Sequence, residues 1–486
     1  MNTRLRALRR DEGGYALVIS MLLIAIMMVS LVVALEAGNA ALREADFGVK
    51  WARTLAIAES GVDDAILVLS QDRAATSACP IGGAAGCSLD DGEYQTTWST
   101  AADGSVSVTA VGYYPSVAEQ EYSRTLQVLL EPAPAFQYAL FGQDSIEVKN
   151  NLNIDGSIYS AGSVVIRNNT TVCGSVVAAA GSVTMESGVT IAKANVVTGC
   201  TGEAADVWAG GSITNDVTTV IEGNAKASAP TGTVCNAAST SYEITSGSVA
   251  ETATACGRIT ATAGVSQPGT STTPPTVDAL PSFTFSAANY PGITCYGAVG
   301  FSCAEGNTSA TAVSSFNTYK AANAASLTGS FAIWQSSPGS GTVVSLEDIT
   351  LGGDLTVITN APILFGNTAT VGLAAGVSSA ELVVISTYIP PPGTSCTTNG
   401  GDCSIYFKNT IVFDDGLDTD PSDGIVSLIY TTGKMAVKNQ NTGDGALYAG
   451  SMDIKNGYDI TYNARIAKIL GFGSGLEPTL WQELSD

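Results

Sequence analysis

The sequence predicts a mainly β protein behind one long N-terminal helix, with a small α+β unit leading into a β-helix (solenoid)-like body. Three observations predict it. An apolar run at residues 15–35 passes without a break into a helical stripe. Gly, Ala, Ser, Thr and Val dominate the remainder, while charged residues make up only 13%. A Gly-Ser-Val/Ile phrase recurs from residue 156 onward. Short strands joined by tight turns suit that composition better than helical bundles do.

Residues 15–35 (YALVISMLLIAIMMVSLVVAL) carry no charge and no proline. About 20 such residues cross a bilayer as a helix. Arg4, Arg6, Arg9 and Arg10 precede the run against Asp11 and Glu12, which orients the short N-terminus inside and the bulk outside. A secretory signal peptide would have a shorter apolar core and a small-residue cleavage site after it. Here Phe47, Trp51, Leu55, Ala58, Val62, Ile66 and Leu69 follow at intervals of three and four, one apolar stripe on a helix. The pattern predicts a single helix over residues 15–72, its first half in lipid and its second half packed on protein.

A basic leader ending in Gly13-Gly14, an aromatic Tyr15, the apolar run and then Ala58-Glu59-Ser60-Gly61 resemble the N-terminal region of PilX-like minor pilins of type IV pilus assemblies. The resemblance implies that prepilin peptidase cuts between Gly14 and Tyr15, and that other pilins and the membrane are partners of the helix. It also implies a single-pass protein of a bacterial-type cell membrane with its C-terminus outside, at the cell surface or in a pilus after assembly. Major pilins carry Glu at the fifth mature position, where this chain has Ile19.

The expected organisation is a cytoplasmic leader (1–14), a transmembrane helix (15–35), and a pilin-like helix with a small antiparallel sheet (36–132). The sheet comes from β-rich runs at 92–99, 105–112 and 121–130, expected to cover Trp51, Leu55 and Ile66. Over 135–265 the phrase recurs at Gly156, Gly162, Gly174, Gly181 and Gly211. Its short spacings approach the six-to-seven-residue beat of some β-helices, each Gly allowing a corner and each β-branched residue stacking inside. A β-sandwich with Gly-rich turns is the alternative. A Pro/Thr/Ser stretch over 266–281 reads as a connection, and 282–486 as a second β-rich region continuing the solenoid, with a short helix over 316–325.

Net charge is −23, and eight of the 21 basic residues fall in the first 75 positions. The acidic body repels phosphate backbones, so no nucleic-acid partner is expected. The absence of histidine removes His-dependent triads and His-ligated metal sites. The ten cysteines contain no CxxC spacing. Nearest neighbours pair as Cys79–Cys87, Cys173–Cys200, Cys235–Cys256, Cys295–Cys303 and Cys396–Cys403, as in an oxidising compartment.

Asp418, Asp420 and Asp423 could wrap a calcium ion with intervening carbonyls. The spacing is not that of an EF-hand, and a solvated acidic turn competes. No other cofactor is expected. Lys434, Lys438 and Arg465 lie downstream without a spacing that fixes a cleft, and Asn169 and Asn307 head glycosylation sequons. The leading expectation is a non-enzymatic minor pilin or pilus-associated surface protein, displaying its body for filament assembly and adhesion. The alternative is a membrane-anchored surface protein that binds or acts on polysaccharide.

Overall fold

The computed structural model describes residues 4–484 apart from 72–78, 80–85, 90–91, 101–104, 133–135, 194–199, 201–203, 291, 299–302, 305–306, 340, 368–369, 395, 397–402, 410–411, 414–423, 440, 464 and 467–475; for 4–16 it describes the backbone only. The chain is mostly β and forms two compact units. One comprises residues 1–132 with 475–486, the other residues 133–474.

The first unit begins with α1 (Arg4–Gln71), one unbroken helix of 68 residues. Four strands follow: β1 (Cys87–Leu89), β2 (Gly92–Thr100), β3 (Val106–Tyr114) and β4 (Tyr122–Pro132). They pair in sequence order as an antiparallel sheet, and the strand Leu476–Leu484 completes it by pairing antiparallel with β4. Alternation puts Val106, Val108 and Ala110 of β3, with Leu126, Val128 and Leu130 of β4, on one buried face. Period-two patterning of β-branched residues produces such a face.

Against it α1 lays Ala58, Val62, Ala65 and Leu69. Thr54, Ile57 and Gly61 are also buried on the helix. This face is rotated from the predicted stripe. Trp51 is 39% exposed, and Leu55 and Ile66 are only half-buried. Close approach is the physical reason. A Cβ on Gly112 of β3 would lie 2.7 Å from the Ala58 nitrogen, and one on Gly61 would lie 3.0 Å from the Tyr94 ring. Backbone meets backbone here, so small residues win the contact face over large apolar ones.

The second unit is built from short parallel strands stacked in columns. One column runs through Ile158–Ser160, Val176–Ala178, Val207–Ala209 and Ala225–Ala227. A second runs through Ser163–Ile166, Val183–Met185 and Ile213–Asn215. A third runs through Asn153–Asp155, Thr171–Cys173, Thr190–Ile191 and Val220–Ile221. The Gly-Ser-Val/Ile phrase explains the stacking residue by residue. Ile158, Val164, Val176, Val183 and Ile213 all point into the core with no exposed surface. Ser163 Oγ accepts the Ser182 N–H at 3.3 Å, and Ser182 Oγ accepts the Ser212 N–H at 3.1 Å. The glycines stack as well: a Cβ on Gly162 would overlap the Asp144 carbonyl oxygen.

The order of strands in space differs from their order in the chain. Residues 133–474 enter at Leu140–Val148, which pairs on one side with Ile158–Ser160 and Ser163–Ile166, and on the other with Asn441–Ile454. Stacking proceeds from there to Thr262–Pro268. The later strands stack inward from Thr294–Tyr296 to Asn441–Ile454. The two β-rich regions expected at 135–265 and 282–486 are therefore one body joined through a central seam. The region assigned to 282–486 also loses its last strand to the first unit. The short helix α2 (Ala312–Asn323) starts four residues earlier than expected and buries Ala312, Val313 and Phe316.

The Pro/Thr/Ser connection is a packed strap. A second apolar core lies on the outer side of the first column, where Tyr430, Tyr448, Phe141 and Tyr159 stand in register. Leu280, Phe283 and Phe285 of the strap pack against it. Tyr159 Oη donates to the Thr276 carbonyl at 2.8 Å, Tyr430 Oη donates to the Pro281 carbonyl at 2.7 Å, and Gln143 Oε1 accepts the Leu280 N–H at 2.6 Å.

Candidate functional site

The candidate element at the N-terminus is α1. Residues 17–35 of this helix are exposed on every side, and it is the one described helix long and apolar enough to cross a membrane. Gly14 and Tyr15 lie within the helical backbone; their side chains are outside the described residues. Ile19 is exposed. Of the motif residues, Ala58 and Gly61 face the sheet, Glu59 is exposed and Ser60 donates from Oγ to the Ala56 carbonyl at 2.9 Å. The motif therefore packs helix on sheet.

Beyond the apolar stretch, aromatic and basic groups gather on the first unit. Phe47 is 51% exposed and stacks on Trp51 at 5.8 Å between ring centroids; it meets Tyr122 edge-on at 5.7 Å. The Arg124 guanidinium lies 4.5 Å from the Trp51 ring centroid and pairs with Glu483, its Nε donating to Oε1 at 2.6 Å. Arg124 is only 9% exposed. It joins α1, β4 and the strand Leu476–Leu484, a junction the sequence reading did not find.

The five cysteine pairs stand at disulfide distance, with Cα–Cα separations of 5.8 Å (Cys79–Cys87), 5.1 Å (Cys173–Cys200), 4.5 Å (Cys235–Cys256), 5.7 Å (Cys295–Cys303) and 5.2 Å (Cys396–Cys403). The candidate calcium residues Asp418, Asp420 and Asp423 lie outside the described residues. Among the described residues no group of three or more His, Cys, Asp or Glu is placed to hold a metal ion.

Lys434 opens the strand Lys434–Val437. Lys438 Nζ sits 5.0 Å from the Tyr406 ring centroid, and Arg465 lies 3.8 Å from Glu381. Burial and the neighbouring Asp354 raise the Glu381 carboxyl above its usual range, against a lowering by Arg465. A second charged cluster straddles the seam. Glu147 and Arg167 interact at 2.8 Å, Arg167 also pairs with Glu186, and Lys149 bridges Glu147 at 3.2 Å and Asp453 at 3.0 Å. Burial opposes the charge on Glu147, but Arg167 and Lys149 outweigh it and hold the carboxyl below its usual range. Each carboxylate in this cluster faces a cation, an arrangement that ties strands together.

No family model matches the chain, and no curated protein does. Among solved structures, the competence-associated pilin ComZ from Thermus thermophilus is matched at 14% identity, over 90% of this chain and 96% of that one, with a TM-score of 0.28. A score at that level does not establish a shared fold.

Proposed function

We propose that the chain is a pilus-associated minor pilin, inserted in the cell membrane by residues 15–35 and displaying residues 133–474 outside as a β-helix. One observation carries this reading: the helix that packs its Ala58–Gly61 face on its own antiparallel sheet continues as an apolar rod with no partner among the described residues. An apolar rod that long needs lipid or neighbouring helices around it. The leader and motif resemblance to PilX-like pilins names those neighbours as other pilins, with prepilin peptidase acting at Gly14–Tyr15. The parallel columns with inward β-branched residues support the β-helix, and a rigid, exposed body suits adhesion.

Ile19 supports a place at the leading end of the filament. In pilins a carboxylate at this position is thought to neutralise a neighbour's N-terminal amine, and an unpaired amine is costly in an apolar medium. Glu36 is nearly five helical turns too far along to replace it. The subunit therefore fits the leading end, in low copy, where it receives no neighbour's amine.

Intact-mass and peptide analysis of the native protein should give an N-terminus at Tyr15. One at Met1, or beyond Leu35, overturns the pilin reading. Immunogold against residues 156–183 should mark filament ends or the envelope, and uniform labelling along filaments would remove the tip assignment.

A further inference from the structure

The first unit is interrupted in the chain. Pro132 ends β4 and stands in register with Leu476 of the strand that completes the sheet. All of residues 133–474 lie between them. Closing a flexible loop of that length is entropically unfavourable, and the penalty grows with the three-halves power of loop length as a closure equilibrium.

Within the second unit, entry and exit are held together by its own contacts. Tyr462 Oη donates to the Phe136 carbonyl at 2.6 Å. Phe136 meets Tyr448 edge-on at 4.7 Å, and the Tyr138 N–H donates to Tyr448 Oη at 3.0 Å. The seam strands Leu140–Val148 and Asn441–Ile454 pair directly. A folded body thus delivers its two ends side by side. Along the chain, twelve residues (133–135 and 467–475) separate these held ends from β4 and the strand Leu476–Leu484.

We propose that the folded body is a clamp that completes the helix-bearing unit: the sheet gains its fifth strand only once the seam of the second unit has formed. Shortening the stretch of chain to be closed from about 340 residues to about a dozen favours docking on the order of a hundred-fold. The Arg124–Glu483 pair and its Trp51 contact then fasten the docked strand to α1. An emerging chain whose body has not folded presents α1 on an incomplete sheet.

The test uses the full chain and hydrogen–deuterium exchange read strand by strand. Leu447→Asp places a charge in the seam core, where Leu447 is 1% exposed. It should reduce protection of the strand Leu476–Leu484, and of the β4 amides facing it, by roughly a hundred-fold, while β2 and β3 keep theirs. Tyr462→Phe is the milder variant. It removes only the hydrogen bond to Phe136 and should loosen the same strand several-fold with the body still folded. Unchanged protection of Leu476–Leu484 in Leu447→Asp, with the seam amides themselves exchanging, overturns the clamp. So does uniform loss across β2, β3 and β4, because closure of the fifth strand would then not be the step affected.

Discussion

Asn150 Nδ2 donates to Asn456 Oδ1 at 3.1 Å, although the two residues are 306 positions apart in the chain. The bond is one rung of an amide ladder: Asn456 Nδ2 donates to Asn439 Oδ1 at 3.1 Å, and Asn168 Nδ2 donates to Asn150 Oδ1 at 3.0 Å. Asn150 and Asn456 each use both ends of their amides, so the ladder continues across the seam where the two halves of the body meet.

Asn150→Ala and Asn456→Ala should therefore each lower stability by about 1 kcal/mol, the net worth of an ordinary hydrogen bond. The double variant should cost less than the sum, because one shared bond is counted twice. Urea denaturation of the transition reporting the second unit provides the measurement, and strict additivity would show the ladder is not coupled.

Two glycines should respond oppositely to the same change. Gly162→Ala puts a Cβ into the Asp144 carbonyl oxygen, part of a backbone that cannot move aside. It should destabilise by about 2 kcal/mol or more. Gly372→Ala meets nothing within 4 Å, and should lie within about 0.5 kcal/mol of the parent, on either side. Thermal melts of the two variants side by side decide it.

Non-reducing peptide mapping should return the five neighbour pairs, with no free thiol. The Cys173–Cys200 bridge closes the longest loop, with a sequence separation of 27. Its removal by double Ala substitution should cost about 2–4 kcal/mol. Cys173 is buried with Ala192 in a small apolar cluster, so the loss should include packing as well as loop entropy.

Two carboxylates should give opposite pH dependences. Glu147 has a lowered pKa in the folded state, so its contribution is present above the unfolded pKa and is lost as pH falls through the folded value. Glu147→Gln should thus destabilise at pH 7 and make little difference at pH 2. Glu381 has a raised pKa, so its protonated form contributes stability below the unfolded pKa, lost as pH rises through the folded value. Glu381→Gln should raise the melting temperature at pH 7 and leave it unchanged at low pH. Melting curves across that range test both signs.

How much of this was legible varies with the range of the interaction. The runs expected at 92–99, 105–112 and 121–130 are the strands Gly92–Thr100, Val106–Tyr114 and Tyr122–Pro132, because alternation within a strand is a local property. The contact face of α1 differs from the predicted stripe by one residue at several positions, with Thr54 and Ala65 buried where Leu55 and Ile66 are only half-buried. Hydropathy rewards Trp51 and Ile66, whereas a helix lying against Gly112 is governed by the room left for Ala58 and Gly61. Composition alone made 266–281 a linker. The apolar Leu280, Phe283 and Phe285 that pin the strap fall at or beyond its expected end.

By itself the sequence determined the long apolar helix, the β-rich body and the inward valines and isoleucines of its repeated phrase. Each follows from periodicity within a few residues, which side-chain chemistry encodes directly. Only the tertiary structure decided that residues 140–148 start in the middle of the body beside 441–454, that the strap recrosses the outer aromatic column, and that Leu476–Leu484 returns to β4. Those are choices of partner between segments hundreds of residues apart. A strand's alternation states which of its faces is buried, while the partner is selected by the register and packing of the whole.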